Sequence, residues 1–149
     1  MDKIFSIGFT KKRAEIFFKL LMTNDVKKLI DVRLNNSSQL AGFTKGDDLN
    51  YFLKKIAGID YVHELIFAPT KEILDSYKKG NNDWVEYEKE YIDLMKKRNV
   101  YEYIKSKGKE YWVESCLLCS EETAEKCHRR LAINTIKEVY HDLDVIHIV

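Results

Sequence analysis

Residues Tyr111 to Leu118 constrain the fold of this chain more than any other stretch. Their second half, ending Cys116-Leu117-Leu118, is continuously apolar instead of alternating with polar positions. A strand apolar on both sides must be covered on both sides, which is the situation of a central strand in a parallel sheet flanked by helices. The rest of the chain supplies matching parts. Lys3 to Phe9, Val26 to Val32, Ile59 to Val62 and Leu143 to Val149 read as further short strands.

Helical spacing fills the intervals. In Lys11 to Met22, Ala14, Phe17, Phe18 and Leu21 share one face, with Thr10 as N-cap. A helix opening at Asp47 or Asp48 carries Leu49, Phe52, Leu53 and Ile56 and stops at Gly58. Pro69-Thr70 resets the chain for Lys71 to Lys79, which Gly80-Asn81-Asn82 ends. From Asp83, Trp84, Tyr87, Glu88, Tyr91, Leu94 and Met95 line a single face, and a short helix follows from Asn99 or Val100 to Gly108. A last helix is expected from Ala124 to Tyr140. Strands alternating with helices predict right-handed crossovers and an α/β fold: one domain over residues 1–149, a mostly parallel five-stranded sheet, and helices on both faces.

Composition narrows the function. A chain of 149 residues, 45% hydrophobic with one proline, suits a single core. The 25 basic and 24 acidic residues leave a net charge of +1, so nucleic acid is not supported as a partner by any global field, and only a local basic patch would bind it. The N-terminal apolar run is too short for a signal sequence, and no stretch reaches the roughly 18 apolar residues of a membrane span, so a cytoplasmic protein with no membrane partner is expected. Three cysteines in such a chain read as reduced thiols, not a disulfide framework. Oligomeric state is left open.

In open parallel sheets, ligands sit beyond the carboxyl ends of the strands. That rule brings Gly8-Phe9-Thr10, Asp31-Val32-Arg33, His63-Glu64 and Cys119-Ser120-Glu121 to one edge, beside Cys127-His128-Arg129 at the start of the last helix. The expected site has Cys119, Glu121 and His128 as catalytic residues and Thr10, Asp31, Arg33, His63 and Arg129 as substrate-binding residues. Cys119 faces a helix start, where the partial positive charge favours a thiolate. Asp31 and Arg33 share a side of their strand, so they pair or both face a ligand. Arg129 begins the apolar stripe of its helix and is expected to point inward, onto Asp31, Glu121 or a bound anion. Cys116 reads as core and Cys127 as structural within the helix.

The same segments resemble a known family. Ser6-Ile7-Gly8-Phe9-Thr10 resembles its T-I-G-H-S opening, and Leu29-Ile30-Asp31-Val32-Arg33 its L-V-D-V-R strand. Gly58-Ile59-Asp60-Tyr61-Val62-His63 is similar to its G-I-x-Y-x-H, and Leu117-Leu118-Cys119-Ser120-Glu121 with Cys127-His128-Arg129-Arg130 to its closing L-L-C-x-E and C-H-R. This is the DUF488 family, and the resemblance runs through nearly the whole chain in order. It implies a fold and a site, not an activity. The chain departs at Phe9, where the family often has His, and at Leu65 to Pro69, where a Pro-Glu-Leu-Gly-like turn is common.

Named chemistries are narrowed by spacing. Glu125 stands where a C-x5-R phosphate cradle needs Arg, the acidic loop after Cys119 differs from a rhodanese-like cradle, and no Gly-rich nucleotide loop is present. Cys119, Cys127, His128 and His63 could meet at a metal, but C-x7-C-H is no familiar zinc spacing. Helical residues 127 and 128 would also diverge by about 100°. Neither metal nor cofactor is expected. Two readings stand: an enzyme acting on a small anionic or nucleotide-like molecule, or a non-catalytic module binding a ligand, metal or partner through a salt-bridged scaffold.

Overall fold

The computed structural model describes residues 2–37, 42–80, 83–121 and 123–149. Five strands, β1 (Lys3–Gly8), β2 (Lys28–Asp31), β3 (Asp60–His63), β4 (Ser115–Cys119) and β5 (Asp144–Ile148), form one sheet in the order β3-β2-β4-β1-β5. Every pairing is parallel. All five β4 residues are buried, and the strand is central, as its apolar run requires.

Seven helices among the described residues cover the two faces: α1 (Ala14–Thr23), α2 (Gly46–Phe52), α3 (Lys71–Lys78), α4 (Trp84–Lys97), α5 (Val100–Lys107), α6 (Lys109–Trp112) and α7 (His128–Val139). Strand alternation splits the core accordingly. Phe5, Ile7, Leu29, Cys116 and Leu118 meet Phe17, Phe18 and Leu21 of α1 and Leu49 of α2. Ile4, Ile30, Leu117 and Cys119 meet Tyr91 and Met95 of α4, Ile104 of α5, and Ala132 and Ile136 of α7. The chain therefore winds from β1 through β2 to β3 over one face and returns through β4 to β5 over the other. β4 lies between β1 and β2, where the winding reverses, and a crevice opens beyond its end.

Several boundaries differ from the sequence reading. The stretch from Tyr111 is not all strand: Lys109–Trp112 is a helical turn that buries Trp112, whose indole N–H donates to the Ile104 carbonyl at 3.2 Å. Glu114, at φ 60°, turns the chain into β4. Thr10 does not cap α1. Arg13 occupies that position, and the Thr10 N–H donates to the Ser120 carbonyl at 3.0 Å. The last helix begins at His128, not Ala124, because Cys127 is extended at φ −140°, ψ 139°. Thr70 and Asp83 do cap α3 and α4, accepting from the N–H groups of Ile73 and Glu86. Asn81 and Asn82, expected to end the helix from Lys71, fall outside the described residues, as do residues 38–41. No helix is long and apolar enough to cross a membrane among the described residues.

Candidate functional site

A cavity of about 280 Å³ opens beyond the end of β4. Cys119, Glu121, His128 and Arg33 line it together with Phe9, Tyr77, Lys78, Trp84, Tyr87 and Lys126. Cys119 ends β4, while Cys127 and His128 lie where the connection enters α7. Because Cys127 is extended and outside the helical turn, the 100° divergence of helical neighbours does not apply, and both residues face Cys119. The sulfurs of Cys119 and Cys127 and a His128 ring nitrogen lie within 4.8 Å of one another, all three residues buried.

His128 is held by one ring nitrogen. Nε2–H donates to the Val32 carbonyl at 2.7 Å, which fixes the tautomer and leaves Nδ1 as the nitrogen without a proton. The Cys119 Sγ lies 3.6 Å from Nδ1 and 3.8 Å from Nε2. Such equal distances place the sulfur against the ring, off the line of either lone pair. A metal held by Nδ1 lies in the ring plane, so a thiolate sharing it would stand about 3.5 Å from Nδ1 and about 5 Å from Nε2. The three donors suit a soft ion by type, but holding one requires the ring or the Cys119 side chain to move.

The electrostatics separate the thiols. Hydrogen bonding from the Cys127 thiol lowers the pKa of Cys119 below that of a free thiol, against the opposing effect of burial; the Ser120 backbone N–H and the Arg129 charge lower it further. The Cys127 pKa is raised for the complementary reason, its bond to Cys119, with burial adding to it. Cys116, on the opposite face, is pushed up by burial.

The two arginines are treated differently. Arg33 makes a bidentate pair with Asp31, Nε to Oδ1 at 2.9 Å and Nη2 to Oδ2 at 2.7 Å, and Nη2 also donates to the Thr44 carbonyl. Burial disfavours its charge, but the bond to and charge of Asp31 outweigh that and raise its pKa. Tyr61 completes the carboxylate's shell, donating to Oδ2 at 2.5 Å. Arg129 is fully buried, and its inward orientation is as expected. Its partners are not: Nε donates to Ser6 Oγ at 3.2 Å and Nη1 to the Glu121 backbone carbonyl at 2.7 Å, and no carboxylate pairs with it among the described residues. Nη2 has no partner. Asp31 faces the α1 and α2 side while Arg129 belongs to the α7 side, so the pair foreseen between them does not form.

Gly8 explains how Arg129 is held. A Cβ there would stand 1.5 Å from the Glu121 oxygen and 3.1 Å from Arg129 Nη1. The absence of a side chain lets the loop after Cys119 lie against β1, with its carbonyl aimed at the guanidinium. The glycine, legible in the sequence only as a strand end, is a component of the site. Of the residues expected to bind substrate, His63, Thr10, Asp31 and Arg129 do not line the cavity: Asp31 and Arg129 are held as described above, His63 Nε2–H holds the Arg33 carbonyl at 2.6 Å, and Thr10 holds Ser120 through its backbone. Phe9, at the family's histidine position, is buried under the Arg33 guanidinium, 5.3 Å from ring centroid to Cζ. Lys78, Lys126, Trp84 and Tyr87 were not foreseen as site residues. The aromatic pair shows in the sequence only as part of a core stripe, and the exposed lysines only as helix-end and loop charges.

The family model for the domain of unknown function DUF488 matches residues 13–136, and the chain belongs to that family. No curated protein and no solved structure matches it.

Proposed function

We propose that this DUF488 member is an enzyme in which the Cys119 thiolate attacks a small anionic, nucleotide-like molecule bound in the cavity beyond β4. The observation that carries the reading is the buried Arg129 charge, which has a carbonyl and a hydroxyl for partners but no carboxylate among the described residues. Burying a guanidinium without a countercharge costs several kcal/mol, and a thiolate at Cys119 supplies one. The substrate's negative charge falls to Arg33, Lys78 and Lys126 around the cavity, and the Trp84 and Tyr87 rings, 5.0 Å apart and stacked, wall its aromatic part. His128, oriented by Val32, lines the same cavity and is the candidate acid or base toward the leaving group; exchange with the Cys119 sulfur itself would need the ring to turn. Glu121, exposed at the mouth, is the second candidate acid or base.

The test is alkylation by iodoacetamide at neutral pH, read by peptide mass. Cys119 is expected to react first, ahead of Cys116 and Cys127, and a panel of nucleoside monophosphates is expected to include one that slows the reaction and raises the melting temperature. A Cys119 no faster than the same cysteine in the denatured chain would remove the thiolate and the proposal with it.

A further inference from the structure

We propose that Cys119 and Cys127 form a reversible redox pair, in which Cys119 reduces a small hydroperoxide and Cys127 closes the disulfide. The inference rests on the thiolate reading of Cys119 and adds an activity for the second thiol beyond its hydrogen bond to Cys119.

Geometry sorts the three cysteines. Cys116 faces the α1 side and is fully buried, away from the cavity. Cys119 and Cys127 face the other side, both line the cavity, and their sulfurs lie within 4.8 Å. A disulfide closes that gap to about 2 Å, and it needs one partner able to approach. Cys127 is placed for this: it lies outside α7 in an extended conformation, at the end of a connection from Ser120 that contains no described helix or strand. A cysteine locked within the first helical turn would have its direction set by the helix. The Arg129 charge favours the thiolate at the Cys119 sulfur.

The chemistry balances without any group beyond the hydroperoxide and a dithiol reductant. The Cys119 thiolate attacks the distal oxygen of ROOH and the O–O bond breaks. The departing alkoxide takes a proton from solvent in the cavity, giving ROH and Cys119 sulfenic acid. Cys127, losing its proton, attacks the sulfenic sulfur; the S–O bond breaks and the hydroxide leaves as water with that proton. Peroxide has been reduced by two electrons and two thiols oxidised to one disulfide. An external dithiol returns both sulfurs to the thiol state.

The experiment treats the reduced full chain with one equivalent of hydrogen peroxide and follows intact mass and disulfide mapping. Expected are a mass loss of about 2 Da, a single Cys119–Cys127 link with Cys116 free, and reversal by dithiothreitol. In Cys127→Ser, dimedone is expected to trap sulfenic acid at Cys119. In Cys119→Ser, peroxide consumption is expected to fall by at least about tenfold. A parent protein that goes to sulfinic acid with no disulfide, or that consumes peroxide at the rate of Cys119→Ser, overturns the inference. So does a stoichiometric zinc ion whose removal by chelator is needed before either thiol reacts. Fast iodoacetamide alkylation of Cys119 without disulfide formation would sink the redox pair alone, whereas slow alkylation would sink the thiolate reading beneath it.

Discussion

Replacing Gly8 by alanine perturbs the fold and the proposed chemistry at one point. The new Cβ would stand 1.5 Å from the Glu121 oxygen and 2.5 Å from its carbonyl carbon, both backbone atoms that no rotamer change can move aside. Restoring ordinary contact requires the loop to retreat by about 2 Å. That distance breaks the 2.7 Å bond from Arg129 Nη1 and the 3.0 Å bond from the Thr10 N–H to the neighbouring Ser120 carbonyl. A hydrogen bond to a charged group is worth about 1.5–3 kcal/mol and a neutral one about 1 kcal/mol, so the expected loss is about 2.5–4 kcal/mol. Chemical denaturation of the parent and Gly8→Ala proteins measures it. Gly42→Ala is the control, since a Cβ there meets nothing within 4 Å; it should stay within about 0.5 kcal/mol. Iodoacetamide alkylation of Cys119 should slow in Gly8→Ala as Arg129 is released. A Gly8→Ala protein within about 1 kcal/mol of the parent would show that the loop does not lie against β1 as described.

Asp31→Ala removes the bidentate partner of the buried Arg33 and should cost about 3–5 kcal/mol in a denaturant melt; a loss below about 1 kcal/mol would mean that Arg33 reaches solvent. Arg129→Met leaves the Glu121 carbonyl without its donor, not a carboxylate, so the expected loss is a smaller 1–2 kcal/mol or about that, accompanied by a rise in the Cys119 pKa visible as slower alkylation at neutral pH. Arg130→Met, at the half-exposed Glu88 pair, should change stability by about 0.5 kcal/mol or less and leave alkylation unaltered. His147, whose pKa is lowered by burial first and by Arg129 second, binds its proton less readily folded than unfolded. Stability should therefore fall on acidification below the ordinary value of 6.5, with a shallower slope in His147→Asn, and equal slopes would discount the assignment.

The sheet was legible because its evidence is periodic. Apolar runs fix the number of strands, and the unbroken apolar end of Tyr111 to Leu118 fixes which one is central. The misplaced boundaries come from tertiary contacts that override local pattern. Trp112 has the composition of a strand residue, but a helical turn buries its ring and gives its N–H the Ile104 carbonyl. Ala124 to Lys126 continue a helical pattern, but α7 starts only after Cys127. At the site, the pairing of Asp31 with Arg33 follows from a two-residue separation on a strand and was readable. The partner of Arg129 was not, because it is a main-chain carbonyl brought close by a glycine on another strand. Sequence carries the identity of carboxylates but not the aim of carbonyls, so an argument from charge alone placed the countercharge on the wrong residue.

Counting buried charges favours one thiolate over a metal at this site. Asp31 and Arg33 neutralise each other, and Arg129 remains as one positive charge without an acidic partner among the described residues. A divalent ion held by two thiolates and a neutral imidazole is itself neutral overall, so it would leave Arg129 as costly as before. A single thiolate at Cys119, with Cys127 retaining its proton as the donor, brings the cluster to neutrality, in the direction in which the two thiols are shifted. Its consequence is reciprocal. If Arg129 stabilises the thiolate, the thiolate stabilises Arg129, so Cys119→Ser should lose stability at neutral pH and keep more of the remainder when Arg129→Met is added. A double-mutant cycle by denaturant melt measures that coupling, and additive losses would show that the two charges do not compensate each other.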